Sequence, residues 1–402
     1  MLPPLDGVRV VDLTHYLAGP TVTRLMAELG ADVVKVEQAP SGDPSRTLAV
    51  MKDGRSGYFV QQNRGKRSLC VDLHDQRGVD VVLRLVEGAD VFVENYGPGV
   101  LDRRGLGWAA LHDCNPRLVM ASISGFGRAE NPWDHKTAFD LIAQAMSGLM
   151  HLTGPRDGPP MPVGTSIGDV SAGVHAVAGI GIALFQRERT GRGQHVDIAM
   201  VDSLFHAQEM SVHGPPLTGG RYVPNRGGHQ SRLTAPVGVY RGPQAWIVLH
   251  VMAAQWPGFC RAMGRPDLER DERFADLAAR QRNRDELNAM VEAWMATFAT
   301  DADVLAALDA ERVPCAPVLP PQDAKDHPYF QARRMVRTVP DPVLGEITIP
   351  GNPLRFSEMD GDLDLVAPRL GEHNAEVLAE VGYTDADVAA LTDAGVLRRG
   401  ET

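Results

Sequence analysis

The sequence predicts an α/β protein: a large, doubly wound, Rossmann-like domain on a parallel sheet, with a smaller α+β domain. Three observations predict it. Short β-branched runs alternate with segments of helical period from residue 8 to residue 124. The chain, at 402 residues, exceeds what one hydrophobic core usually serves. Its composition also shifts to glycine and proline in HGPPLTGGRYVPNRGGHQSR, from His213 onward, which marks a boundary near residues 205–225. The expected division is a large domain over residues 1–210, a linker or active-site loop over 211–240, a small domain over 241–325, and a return linker with the rest of the large domain over 326–402.

Taken in order, VRVVDL (8–13) reads as a strand, TVTRLMAELG as a helix ended by Gly30, and DVVKVE (32–37) as a second strand. Strand, helix and strand at this spacing form a βαβ unit, which requires a parallel pair. RSLCVDL (67–73), a helix over 76–87, DVFVEN (90–95), a short helix near 101–112 and RLVMASIS (117–124) continue the alternation. A helix over 138–150 leads through TGPRDGPPMPVG to GTSIGDVSAGVHAVAGIGIAL (164–184), a long apolar helix headed by Asp169. TGRGQ makes a turn, HVDIAM a strand, and Asp202 caps a further helix. Beyond the boundary, VYRGPQAWIVLHV reads as a hairpin, two or three helices follow to about residue 311, VPCAPVL (313–319) leads out, and LGEHNAEVLAEVGY is helical.

A formal net charge of −11 and a pI near 5.6 argue against a nucleic-acid partner. Cys70, Cys114, Cys260 and Cys315 lie far apart, so neither a zinc site nor a disulfide framework is expected, and a reducing cytoplasm fits. MLPPLDGVRVVDL lacks the basic start and apolar core of a secretory signal. No run approaches the roughly 18–20 unbroken apolar residues of a membrane span.

In doubly wound sheets ligands sit beyond the carboxyl ends of the strands, so the loops after Leu13, Glu37, Leu73, Asn95 and Ser124 are the ones to search. The first of them carries only Gly19, without the three glycines that bring a pyrophosphate onto the backbone, and a dinucleotide enzyme is disfavoured although Glu37 sits where a ribose-binding acid would. Arg64, Lys66 and Arg67 cluster at the entrance to a strand, and Arg103 and Arg104 form a second basic loop; together they suggest an anionic, phosphate-bearing ligand. Asp169 admits two compatible readings. It can cap the long helix, contributing about 0.5–2 kcal/mol, and a helix N-terminus that keeps it ionised would also make it a nucleophile.

Over nearly its whole length the sequence resembles the class III CoA-transferases of the CaiB/BaiF type. The motifs are VVDLTHYLAGP, LGADVVKVE, GDPSR, NRGKRSLCVDL, ENYGPGVLDRRGLG, SGFG, GDVSAG, TGRGQ, VPCAPV and LGEHNAEVL, in that order. The resemblance implies a catalytic aspartate at Asp169. It implies CoA contacts at His15, Tyr16, Leu17 and Ala18, at Gln38 where the family often has arginine, and at Val71, Asp72, Leu73 and His74. Further contacts fall on Asn95, Tyr96, Gly97 and Arg103, and on Lys136, Thr137, Ala138, Phe139 and Asp140, where the family's lysine is either replaced by Thr137 or supplied by Lys136.

What the resemblance implies for chemistry is transfer of CoA from an acyl-CoA donor to a small carboxylic acid acceptor, through an acyl–aspartyl anhydride and an aspartyl-CoA thioester. Coenzyme A and acyl-CoA are then substrates, with no permanently bound cofactor and no metal. Residues 213–230 are expected to supply N–H donors and a lid. The family's oxalate-specific members carry a glycine-run loop absent here; RGGHQSR (226–232) offers Arg226, His229 or Arg232 to an acceptor, or is a polar linker. The resemblance further implies a homodimer of interlocked subunits, and the composition a cytoplasmic one. Two rivals are an α-methylacyl-CoA racemase, whose histidine before the aspartate matching Asp140 is here Phe139, and a nonenzymatic acyl-CoA-binding protein, which would not need GDVSAG.

Overall fold

A computed structural model of the chain describes residues 2–48, 50–359, 363 and 365–400. Its contacts divide it into two units, one of Met1–Ser147, Val163–Gln208 and Pro328–Thr402, the other of Gly148–Pro162 and Glu209–His327. The second unit takes in residues 148–162, which the sequence reading placed in the large domain, and residues 211–240, which it set apart as a linker.

The first unit is built on a six-stranded, wholly parallel sheet. Its strands are β1 (Arg9–Leu13), β2 (Asp32–Gln38), β5 (Lys66–Val71), β6 (Val91–Glu94), β7 (Val119–Ser124) and β8 (His195–Ala199), in the order β5-β2-β1-β6-β7-β8. A small hairpin of β3 (Met51–Lys52) and β4 (Arg55–Ser56) is inserted before β5. The helices of this part are α1 (Ala18–Glu28), α2 (Gly57–Asn63), α3 (Gln76–Glu87), α4 (Trp108–Cys114) and α5 (Asp140–Met146). After α6 (Leu149–Leu152) of the second unit come α7 (Ile167–Thr190) and α8 (Met200–Phe205).

Alternation along β2 explains its two faces. Val34 and Val36 join Val11, Leu13, Leu69 and Phe92 in an apolar core with α3, α4 and the helices Asn374–Glu380 and Asp385–Asp393. Lys35 and Glu37 point the other way, into a buried ionic layer shared with Asp12 and Lys66. On that second side α1 packs against α7, and the approach depends on Gly173: a Cβ there would lie 2.9 Å from the Ala18 carbonyl oxygen and from Thr21.

Several elements differ from expectation. The helix near 101–112 is a 3₁₀ turn, Asp102–Arg104, followed by α4, because Gly105 at φ 74° ends the turn. The helix over 138–150 breaks at Gly148, φ 86°, which belongs to the second unit with α6. Asp202 lies inside the first turn of α8, behind an Ala199 N-cap. The helix Asp385–Asp393 was not foreseen, although Thr384 and Asp387 form a reciprocal capping box. Among the described residues α7 is also long and apolar enough to cross a membrane by length and composition, with mean hydropathy 1.6. Its small residues Ala172, Gly173, Ala176 and Ala183 are buried within the first unit.

In the second unit, β9 (Val237–Arg241), β10 (Trp246–His250) and β11 (Cys315–Pro317) form an antiparallel sheet in the order β11-β10-β9. VPCAPVL therefore adds a strand rather than merely leading out. Tyr240, Ile247 and Leu249 of this sheet join Trp256, Phe259, Leu287, Val291 and Leu308 in a separate core, fed by four α-helices before residue 311 where two or three were expected. A last hairpin, β12 (Val336–Asp341) and β13 (Gly345–Pro350), belongs to the first unit.

Candidate active site

Strand order reverses between β1 and β6, and in open α/β sheets such a switch point opens a crevice at the strands' carboxyl ends. Two loops meet there. Asn95 clamps the first loop on both sides: its Oδ1 accepts from His15 N at 2.9 Å and its Nδ2 donates to His15 O at 2.8 Å. Beneath it, Lys35 Nζ donates to Thr14 O at 2.8 Å and pairs with Asp43 at 2.9 Å. Asp43 Oδ1 in turn accepts from Tyr16 N at 3.3 Å, holding a residue whose φ of 62° is left-handed. Two charges buried from water in this way keep each other ionised: Lys35 is pushed above the ordinary lysine range, mainly by Asp43 against the cost of its burial, and Asp43 is held down at about 2 by Lys35 despite burial.

Asp169 is the third residue of α7, behind a Ser166 N-cap that makes no side-chain capping bond. The helix end is capped from another element. Asp140, at the start of α5, accepts from Gly168 N at 2.7 Å through Oδ1 and from Gln144 Nε2 at 2.7 Å through Oδ2. This corrects the expectation for both aspartates: Asp140 is the cap, with both carboxylate oxygens committed, and Asp169 is the carboxyl left without a hydrogen-bond partner among the described residues. Nor is Asp169 held low by its surroundings. Burial, and then the nearby charge of Asp140, push it up to about 7.

Two clefts adjoin Asp169, both within the first unit. One, of about 330 Å³, is lined by His15, Tyr16, Ala18, Asn95, Tyr96, Gly97, Lys136, Thr137, Ala138, Phe139 and Asp169, together with Pro98, residues 123–125, Asp134, His135 and Met200. The other, of about 600 Å³, is lined by Tyr16, Leu17, Tyr58, Phe139, Asp140, Leu141, residues 163–166 and Asp169. Tyr16, Phe139 and Asp169 belong to both, with the two rings edge to face at 6.3 Å. The carboxyl thus stands in the partition between two chambers.

At the carboxyl ends of β2 and β5, Gln38 Nε2 donates to Asp72 Oδ1 at 2.8 Å, while Gln38 Oε1 accepts from Leu73 N at 3.2 Å and from Arg104 Nη1 at 3.3 Å. His74 N donates to Asp72 Oδ1, and His74 Nε2 lies 3.4 Å from Arg104 Nη2. Arg103 is exposed on the adjacent 3₁₀ turn. Val71 differs from its expected role: its side chain is wholly buried and its carbonyl accepts from Ala39 N, which leaves no surface for a ligand.

The first basic cluster is also corrected. Arg64 pairs with Glu28, Lys66 with Asp12 at 2.9 Å, and Arg67 with Asp32, Glu376 and Glu380. It stands at the amino end of β5, away from the crevice, and neutralises acids of the fold. Tyr58 was not foreseen, because a lone tyrosine at the head of a helix carries no chemical spacing; the loop after Ser124 and the stretch from residue 164 were singled out in the sequence, but no contact was assigned to residues 123–125 or 163–166. Residues 213–230 lie in the second unit. No group of three or more metal-ligating side chains occurs among the described residues.

Comparison with known proteins gives the family. The model of CoA-transferase family III matches residues 5–374. A protein of Streptomyces avermitilis named formyl-CoA:oxalate CoA-transferase is 39% identical over 99% of this chain and 100% of its own length. One of Haloarcula hispanica named succinyl-CoA:mesaconate CoA-transferase is 40% identical over 94% of this chain and 96% of its own. The crystal structure of a CAIB/BAIF family protein from Brucella suis superimposes with a TM-score of 0.82 at 35% identity, covering 95% of this chain and all of that one. A match that runs from the first strand to the C-terminal helices, in sequence and in fold, makes this chain a member of CoA-transferase family III, the CaiB/BaiF family of enzymes.

Proposed function

We propose that this protein moves CoA from an acyl-CoA to a free carboxylic acid, with Asp169 as the covalent nucleophile. One observation carries the reading: a carboxyl without a hydrogen-bond partner stands between two chambers at the end of a doubly wound sheet. The Asp169 carboxylate attacks the thioester carbonyl, the C–S bond breaks, and CoA leaves as thiolate. The thiolate attacks the aspartyl carbonyl of the resulting anhydride, releasing the first acid as carboxylate and leaving an aspartyl-CoA thioester. The acceptor carboxylate then attacks that thioester, and the displaced thiolate takes the acceptor's acyl group, restoring Asp169. No proton is gained or lost over the cycle, and the thioester bond is conserved.

In this reading the smaller cleft takes the pantetheine end of CoA against the loops clamped by Asn95. Gln38, Asp72, Leu73, His74 and Arg103 lie along the path of the nucleotide, which reserves the second basic loop for its phosphates. Phe139 offers no base where a racemase needs one. The protein acts as a cytoplasmic homodimer; Val174, Ile182 and Phe185 of α7, 52%, 69% and 63% exposed, provide an apolar stripe for such an interface.

The test is intact-mass analysis after mixing with an acyl-CoA, with hydroxylamine or borohydride trapping and peptide mapping. An adduct on the peptide bearing Asp169 is expected. Transfer that proceeds with no adduct there, or that survives Asp169→Asn, overturns the mechanism.

A further inference from the structure

The face of the central sheet that carries Phe92 and Met120 ends, at its carboxyl edge, in a row of polar side chains: Glu94 of β6, Ser122 of β7 and Asp197 of β8 stand opposite one another in register. The row gathers one arginine. Arg128 N and Ala129 N donate to Asp197 Oδ2 at 2.8 and 3.0 Å, and Arg128 Nη2 donates both to Glu94 Oε1 and to Tyr96 O, the latter at 3.1 Å. Glu94 Oε2 accepts from Tyr96 N at 2.9 Å. One ion pair therefore holds both backbone groups of Tyr96, as Asn95 holds both of His15. The two held residues meet: the rings of His15 and Tyr96 lie edge to face at 4.9 Å, and both residues line the smaller cleft. These contacts are made inside the first unit, by a Glu94 side chain that is wholly buried and an Arg128 side chain 15% exposed.

We propose that Glu94 and Arg128 are positioning residues for CoA transfer: by fixing Tyr96, and with it the adjoining Asn95, the pair holds the smaller cleft in the shape that binds CoA. The inference rests on the reading of that cleft as the CoA site. A buried ion pair is a costly way to fill space, since well-packed apolar side chains often serve stability as well or better. What apolar side chains lack is a donor for Tyr96 O and an acceptor for Tyr96 N. Burial pushes the Glu94 carboxyl up, and the charge of Arg128 is the foremost influence holding it down, so the acceptor depends on the arginine. Glu94 is the last residue of β6, and Asn95 and Tyr96 follow it directly; a displacement of the pair passes at once to the clamp on His15.

The experiment measures the Kd of coenzyme A by titration calorimetry for the full-length wild type, Arg128→Met, Glu94→Gln and the double variant, with urea unfolding to establish that each is folded. Each single variant is expected to weaken binding roughly tenfold, the size of one lost hydrogen bond to a charged group. The double variant should match the larger single effect, because both side chains act through Tyr96. In turnover, KM for the acyl-CoA donor rises by a similar factor and kcat changes far less, since neither side chain lines a cleft beside Asp169. Glu94→Gln keeps the side chain's shape and carries the test should Arg128→Met not fold. A wild-type Kd in a folded single variant, effects that add in full in the double variant, or a loss confined to kcat overturns the positioning role. Tyr96→Ala tells the two readings apart. Weaker binding in Tyr96→Ala alone overturns only the positioning role, whereas a wild-type Kd there as well removes the cleft from CoA binding and the inference with it.

Discussion

At the scale of single residues, the informative group is a carboxyl, Asp169, that has no hydrogen-bond partner among the described residues and faces two clefts. Asp169 rises from an ordinary 3.8 to about 7 because its charged form is desolvated and faces Asp140. The folded chain therefore keeps a proton that the unfolded chain releases near pH 4. Stability falls as pH rises from about 4 to about 7 and stays lower above that window. Asp169→Asn is expected to abolish CoA transfer while raising the melting temperature at pH 8, by up to about 4 kcal/mol of stability; at pH 4 the two proteins should melt together. Calorimetry at both pH values checks this. On the proposed mechanism the nucleophile is the anion, so the rate of adduct formation should climb through a midpoint near pH 7. Asp140→Asn removes the neighbouring charge that adds to the effect of burial, and stopped-flow profiles should show the midpoint moving toward acid with a smaller maximal rate, since the α7 cap is weakened too.

Among the elements, two devices position the site. The loop after β1 is held by Asn95 from one side and by the Lys35–Asp43 pair from below. Asp43→Ala leaves Lys35 buried without its partner and frees Tyr16 N. Loss of a buried partner costs about 3–5 kcal/mol, read by urea unfolding. Asn95→Ala is milder in stability and should raise KM for acyl-CoA. The close crossing of α1 and α7 depends on Gly173, where any side chain meets Ala18 O and Thr21. Gly173→Val should be destabilising by about 1–3 kcal/mol and should disturb the start of α1, which carries Ala18 of the smaller cleft.

For the molecule as a whole, the interlocked dimer of the proposed reading predicts that light scattering gives twice the 43.5 kDa chain mass, and that Ile182→Glu with Phe185→Lys weakens assembly. A stable monomer at micromolar concentration would count against it. The strand and helix alternation and the parallel sheet were legible in the sequence, because periodicity is a local property of the chain, and the family motifs drew attention to Asp169 as the candidate nucleophile. Other features were decided only in three dimensions. Which aspartate caps α7 depends on residues 28 positions apart meeting at Gly168. Whether a basic cluster is free for a ligand depends on acids as distant as Glu376 and Glu380 reaching Arg67. Composition could place charge near a strand, but pairing and burial, set by the tertiary fold, determine which charges are neutralised within it and which carboxyl is left without a partner.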